Sequence, residues 1–215
     1  MFYRKSLLNM YRLFLKSISK LWLIPLLIIN VVVPAVSYLL YINMHENAEM
    51  YILNLLYFVM PLSSVWVSIF VSEVFFNDKA KDALFFFSNK KRLMISASFF
   101  IMQVLDVFII VLLHFYCISD CFGMAVKTMC IAILFYGIAM LLLCLSKSAA
   151  MAVLILLLYT LMNEFSFSDF FFFYKNNETL TLNLFLLKYF PFILIGLLCV
   201  IIAFIHKNNW KAKAA

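Results

Sequence analysis

Four carboxylates in two settings are the residues of this chain best suited to chemistry. Asp106 stands in the middle of the apolar run IMQVLDVFII, and Glu164 closes another run beside Asn163. An ionisable group at the centre of a bilayer costs about 2.5–3.5 kcal/mol on insertion scales, so it is a functional candidate by default. For Asp106 that function is contact with a transported substrate or ion, and the alternative is a hydrogen bond that joins two helices. For Glu164 the two readings are the mouth of a pathway and a carboxylate reaching interfacial water. Asp78 and Asp82 form the second setting, inside SEVFFNDKAKDALFFFSNKKR, Ser72 to Arg92. There Phe76, Ala80, Ala83, Leu84 and Phe87 recur at helical spacing, with Asn77, Asp78, Lys81 and Asp82 around the other face, which predicts a short amphipathic helix. Two like charges four residues apart weaken an isolated helix by a few tenths of a kcal/mol, and they lie unfavourably beside anionic lipid. A cationic protein partner would offset both costs; a solvated face is the alternative.

The residues that most enzymatic chemistry needs are missing. Gly123, Gly137 and Gly196 are each isolated in apolar surroundings, whereas a phosphate-cradling loop needs two glycines five apart followed by Lys and Ser or Thr. The chain therefore reads as one that binds no ATP itself, carries no cofactor and is not an enzyme. Cys117, Cys121, Cys130, Cys144 and Cys199 form no CxxC pair and His114 has no second His at ligand spacing, so no metal site is expected and the cysteines read as small buried hydrophobes. A Cys117 to Cys121 disulfide would require an oxidising side and gains no support from the odd total. Asn177, Glu178 and Thr179 match a glycosylation acceptor, a pattern short enough to arise by chance.

The elements that must position these groups are set by lipid. Of 215 residues 67% are hydrophobic and 13% charged, and mean hydropathy is +1.06, far from the roughly half apolar and quarter charged composition of soluble domains. An all-α membrane protein follows. Six runs approach the about 20 apolar residues that cross a hydrocarbon core: Leu21 to Ile42, Tyr51 to Ser72, Leu93 to Cys117, Met124 to Leu145, Ala149 to Phe165 and Lys188 to Ile205. Pro25, Pro34, Pro61 and Pro191 are expected to bend or loosen spans one, two and six. Residues 1–20 place Leu8, Tyr11, Leu15 and Ile18 on one stripe and Arg12, Lys16 and Lys20 on another, an interfacial amphipathic helix or a plain basic anchor. No secretory leader is expected. Residues 21–215 then form the transmembrane domain, with the charged helix at 73–92 and a re-entrant-like external segment at 166–187.

Fourteen of the 17 Lys and Arg residues fall on one side, and only Lys127, Lys175 and Lys188 on the other. The positive-inside rule then puts both termini in the cytoplasm and makes Ser72 to Arg92 the sizeable cytoplasmic loop. Net charge is +7, but the cations cluster beside apolar segments, which points to membrane lipid and not to nucleic acid.

These features together resemble the permease subunits of ABC-2 type exporters: an N-terminal amphipathic helix, six spans with both ends inside, Glu73 closing the second span, a short helix, then basic residues entering the third. Ala80, Lys81, Ser88 and Asn89 stand where members of that family often carry Gly and Pro. The resemblance implies a coupling helix that docks on a separate cytoplasmic ATPase subunit, which holds ATP and Mg. It makes Glu73 the element at the membrane boundary, makes Asn77, Asp78, Lys79, Lys81, Asp82 and Leu84 the docking surface, and makes Lys90 to Arg92 the anchor of the third span. It also implies a second permease copy or a paralogue. The cargo would be an amphipathic or apolar substrate moved outward, such as a peptide or a bacteriocin in self-protection, across the cell membrane of a bacterium whose AT-rich genome is suggested by low Gly and abundant Phe, Ile, Asn and Lys. A haem or cytochrome-maturation type exporter subunit is the nearest variant. An ion-coupled secondary transporter using Asp106 and Glu164, and an intramembrane enzyme or assembly factor, remain as other classes.

Overall fold

A computed structural model describes residues 23–43, 47–76, 89–165 and 178–213 of the chain. Among them every regular element is helical. Helix α1 spans Leu23–Asn43, α2 Ala48–Phe76, α3 Asn89–Leu113 with a 3₁₀ turn at His114–Tyr116, α4 Cys121–Ser146 and α5 Ala149–Phe165. Helix α6 begins as Leu182–Leu184, passes through a π turn at Phe185–Tyr189 and continues as Phe190–Lys213. Five of these helices are long and apolar enough to cross a membrane, while α5, with 17 residues, is apolar but shorter. Leu, Ile, Phe and Met side chains stand bare along α1, α3 and α6, Met94 at 69% and Leu187 at 73% exposure among them. Apolar surface on that scale is built for lipid. The chain is a helical membrane protein.

Helix α4 is the hub. It touches α2, α3, α5 and α6, and its buried residues run from Gly123 to Leu143 on every side of the helix. Such a helix shows no polar face because none of its faces meets water. Against α6 it packs through glycine. A Cβ added to Gly137 would strike the Gly196 backbone, and one on Gly196 would strike the carbonyl of Ile133. Two small residues thus let the backbones approach closely, the means by which helices associate where lipid supplies no hydrophobic driving force.

Two of the prolines leave visible marks. Helix α1 widens into a π turn at Ile28–Val32, where the Val33 N–H reaches the Ile28 carbonyl, and α6 does the same at Phe185–Tyr189, where Phe190 reaches Phe185. Pro34 and Pro191 stand two residues past the ends of these turns. A proline ring displaces the carbonyl four residues back, here that of Asn30 or Leu187, and each π turn contains that displaced residue. In α2, Pro61 is carried inside a continuous helix.

The expected span limits agree with the helices in their apolar middles and differ at the ends. Helix α2 continues beyond Ser72 to Phe76, and α6 starts at Leu182, six residues before Lys188. Residues 182–187, expected within the external segment, are therefore the first turns of α6. The N-terminal amphipathic helix at 1–20, the charged stretch at 77–88 and residues 166–177 lie outside the described residues.

Candidate functional site

Asp106 lies one residue from the centre of the Met94–Tyr116 span and is half-buried. Its Oδ2 accepts a hydrogen bond from Asn30 Nδ2 at 3.1 Å, and the same amide nitrogen donates to the Leu26 carbonyl at 3.1 Å. Asn30 belongs to the π turn of α1 and is itself exposed. The proline-induced widening and the carboxylate of α3 thus meet near mid-membrane. The helix-joining role considered for Asp106 has a partner in Asn30, and the pair remains open toward the outside of the bundle.

One turn away, Gln103 grips α2. Its Nε2 donates to the Ser63 carbonyl at 2.9 Å and its Oε1 accepts from the Val67 N–H at 3.1 Å. Ser63 and Val67 are the carbonyl and amide that bond each other in an undisturbed helix, so a buried side chain lies across one rung of the ladder. Around this point α2 carries the buried Ser63, Ser64, Ser68 and Ser72. Ser64 and Ser68 return their hydroxyls to the carbonyls of Pro61 and Val65. Ser72 pairs with Ser96 of α3 at 2.6 Å, and Ser96 with the Tyr136 hydroxyl of α4 at 2.9 Å. A polar seam therefore joins α2, α3 and α4 inside the bundle.

At the end of that seam Glu73, part-buried, accepts from the Ala149 N–H at 3.0 Å. Ala149 opens α5, so a carboxylate from α2 satisfies a free amide at the positive end of another helix. The turn between α4 and α5 is tight, since Lys147 adopts a left-handed conformation at φ 55 and its N–H closes on the Leu143 carbonyl at 2.9 Å. Of the residues expected to dock an ATPase, Glu73 is thus turned toward α5, while Asn77, Asp78, Lys79, Lys81, Asp82 and Leu84 lie outside the described residues, as do the side chains of Lys90, Lys91 and Arg92. Glu164, half-buried, is the penultimate residue of α5.

The opposite end of the bundle holds a second polar cluster. Asp120 caps α4, its Oδ1 accepting from Gly123 N at 3.0 Å and its Oδ2 from Leu180 N at 2.7 Å. Glu49 Oε1 accepts from both the backbone and the hydroxyl of Ser119, each at 2.7 Å. Lys127, counted from sequence as an external cation, is 3% exposed and donates to the Glu178 carbonyl. The cleft among these groups holds about 30 Å³ of free space, room for one or two waters. It fastens residues 178–180 to the helix ends and is too small for an organic substrate. His114 is buried, with Nδ1 donating to the Ile110 carbonyl at 2.8 Å and Nε2 without a partner among the described residues. No group of ligands able to hold a metal occurs among the described residues, and the five cysteines are free thiols. Burial pushes the Cys117 thiol up to about 11, with Cys121 nearby adding to the effect.

Comparison with protein-family models, with curated proteins and with solved structures finds no match to this chain.

Asn30, Gln103 and the Gly137 to Gly196 contact were not singled out from sequence. Asn30 and Gln103 carried a legible signal, because a polar amide inside an apolar run has to find a partner. The glycine contact needed both helices in place before it could be seen.

Proposed function

We propose that the chain is the permease subunit of an ABC-2 type exporter. It has six spans, α5 included, and cytoplasmic termini. It works as a dimer of permeases driven by a separate cytoplasmic ATPase, and it moves an amphipathic or apolar substrate out of a bacterial cell. The observation that carries this reading is the Glu73 to Ala149 bond. It ties the end of α2, directly before the charged stretch, to the start of α5. The Ser72, Ser96 and Tyr136 contacts tie the same region to α3 and α4. A push delivered on residues 77–88 would then move four helices together, as a coupling element must. The test reverses the acidic pair, Asp78→Lys with Asp82→Lys, and follows ATPase co-purification and substrate-stimulated ATP hydrolysis. Loss of both with the helix content kept is expected; retention of both removes the coupling role.

A second reading, an ion-coupled secondary transporter, draws on Asp106, whose hydrogen-bond partner Asn30 is neutral. Gradient-driven transport by the chain alone in proteoliposomes, with no ATPase added, would favour it.

A further inference from the structure

We propose that the seam between α1 and α3 at Asn30 and Asp106 binds an amphipathic organic cation, a single positive charge carried on an apolar body. The proposal deepens the exporter reading by naming a substrate class, and it rests on that reading only for its purpose.

Asp106 is a carboxylate at mid-span whose hydrogen bond comes from a neutral amide, and no cationic side chain among the described residues pairs with it. Both hydrogens of the Asn30 amide are engaged, one by Leu26 and one by Asp106. With the carboxyl ionised, what the pair still offers is acceptor oxygen alone, from the second carboxylate oxygen and the Asn30 carbonyl. An acceptor-only patch attracts positive charge and repels anions, and it does so strongly in a medium of low dielectric. The surroundings are apolar and open: Leu27 and Val31 stand 58% exposed beside Asn30, while Met102, Leu105 and Ile109 stand 64%, 50% and 56% exposed beside Asp106. Hard metal cations ask for six or more oxygen ligands, or for retained water, and these two residues supply too few. An organic ammonium or phosphonium needs only a counter-charge and apolar contact, and the seam provides both.

The probe is tetraphenylphosphonium, with tetraphenylborate as an anion of the same shape. Equilibrium binding is measured on the full chain in lipid nanodiscs without ATPase, with empty nanodiscs subtracted. Saturable binding of the cation is expected, with the borate unable to compete. Asp106→Asn should weaken it at least tenfold and Asp106→Glu should restore part of it. In the unmodified chain, tetraphenylphosphonium should protect Asp106 from dicyclohexylcarbodiimide, read by mass spectrometry; this arm holds even where a variant fails to fold. Absence of saturable binding, equal competition by the borate, binding undiminished in Asp106→Asn, or no protection would each overturn the site. A change of oligomeric mass in Asp106→Asn without cation binding would assign the carboxylate to a partner chain instead. None of these outcomes touches the charge-reversal test of ATPase coupling, so the two readings fail separately.

Discussion

The side chain of Gln103 and the backbone of Val67 are joined across two helices, the Gln103 Oε1 accepting from the Val67 N–H at 3.1 Å while its Nε2 holds the Ser63 carbonyl. An α3 side chain thus lies across one rung of the α2 ladder. Insertion of this kind is one of the recognised ways to bend a helix, and it lies two residues after Pro61, which removes a donor of its own.

Removing the clasp should cost little, because the freed carbonyl and amide of α2 can close on each other. Gln103→Met, similar in volume, is expected to lower stability by less than about 1 kcal/mol. Gln103→Glu keeps the acceptor but deprives the Ser63 carbonyl of its donor and buries a charge, and should cost about 1–3 kcal/mol or more. Unfolding in detergent micelles separates the two variants. An equal loss for both would show that the Ser63 and Val67 groups do not re-pair.

Glu73 reaches the first amide of α5 from the end of α2. Glu73→Ala should cost about 0.5–2 kcal/mol, the range for losing a side-chain acceptor at a helix start. Glu73→Gln keeps an acceptor and gives up only the charge in the helix field, a loss of about 0.3–1 kcal/mol at most. Amide exchange at Ala149 reports the contact directly, and it should speed up in the Ala variant and less so in the Gln variant. Exchange unchanged in both would mean that other groups hold the start of α5.

Gly137 and Gly196 leave no room for a methyl group between α4 and α6. Gly137→Ala must push backbone against backbone, and a strain of about 1–3 kcal/mol is expected from overpacking of this kind. In a chain with cysteines introduced on facing turns of α4 and α6, cross-linking should fall in the Ala variant. Cross-linking unchanged, with stability intact, would show that the helices can part without loss.

The parts of this architecture that depend on solvent were legible in the sequence, and the parts that depend on a partner were not. The apolar middles of the helices follow from the thickness of hydrocarbon, and the start of α5 at Ala149 is legible because Ser146 to Ser148 interrupt the apolar run before it. The ends of α2 and α6 escaped, since a helix continues past the lipid boundary wherever its backbone bonds continue, and hydropathy does not sense that. Asp106 is legible because charge in an apolar run stands out. Gln103, three residues earlier and on the same side of α3, is uncharged and does not stand out in the same way. Asn30 needed more still: its position depends on Pro34 four residues onward and its partner lies 76 residues away in sequence.

Helix α5 has a consequence for the membrane itself. It is held at its start by the Glu73 bond and the close Lys147 turn, so it has little freedom to slide along the membrane normal. A bilayer of another thickness would then be met by tilting α5 or by deforming the lipid around it, and such mismatch costs fractions of a kcal/mol per ångström. The tie at the start of α5 would therefore make the protein sensitive to the acyl-chain length of the membrane that holds it.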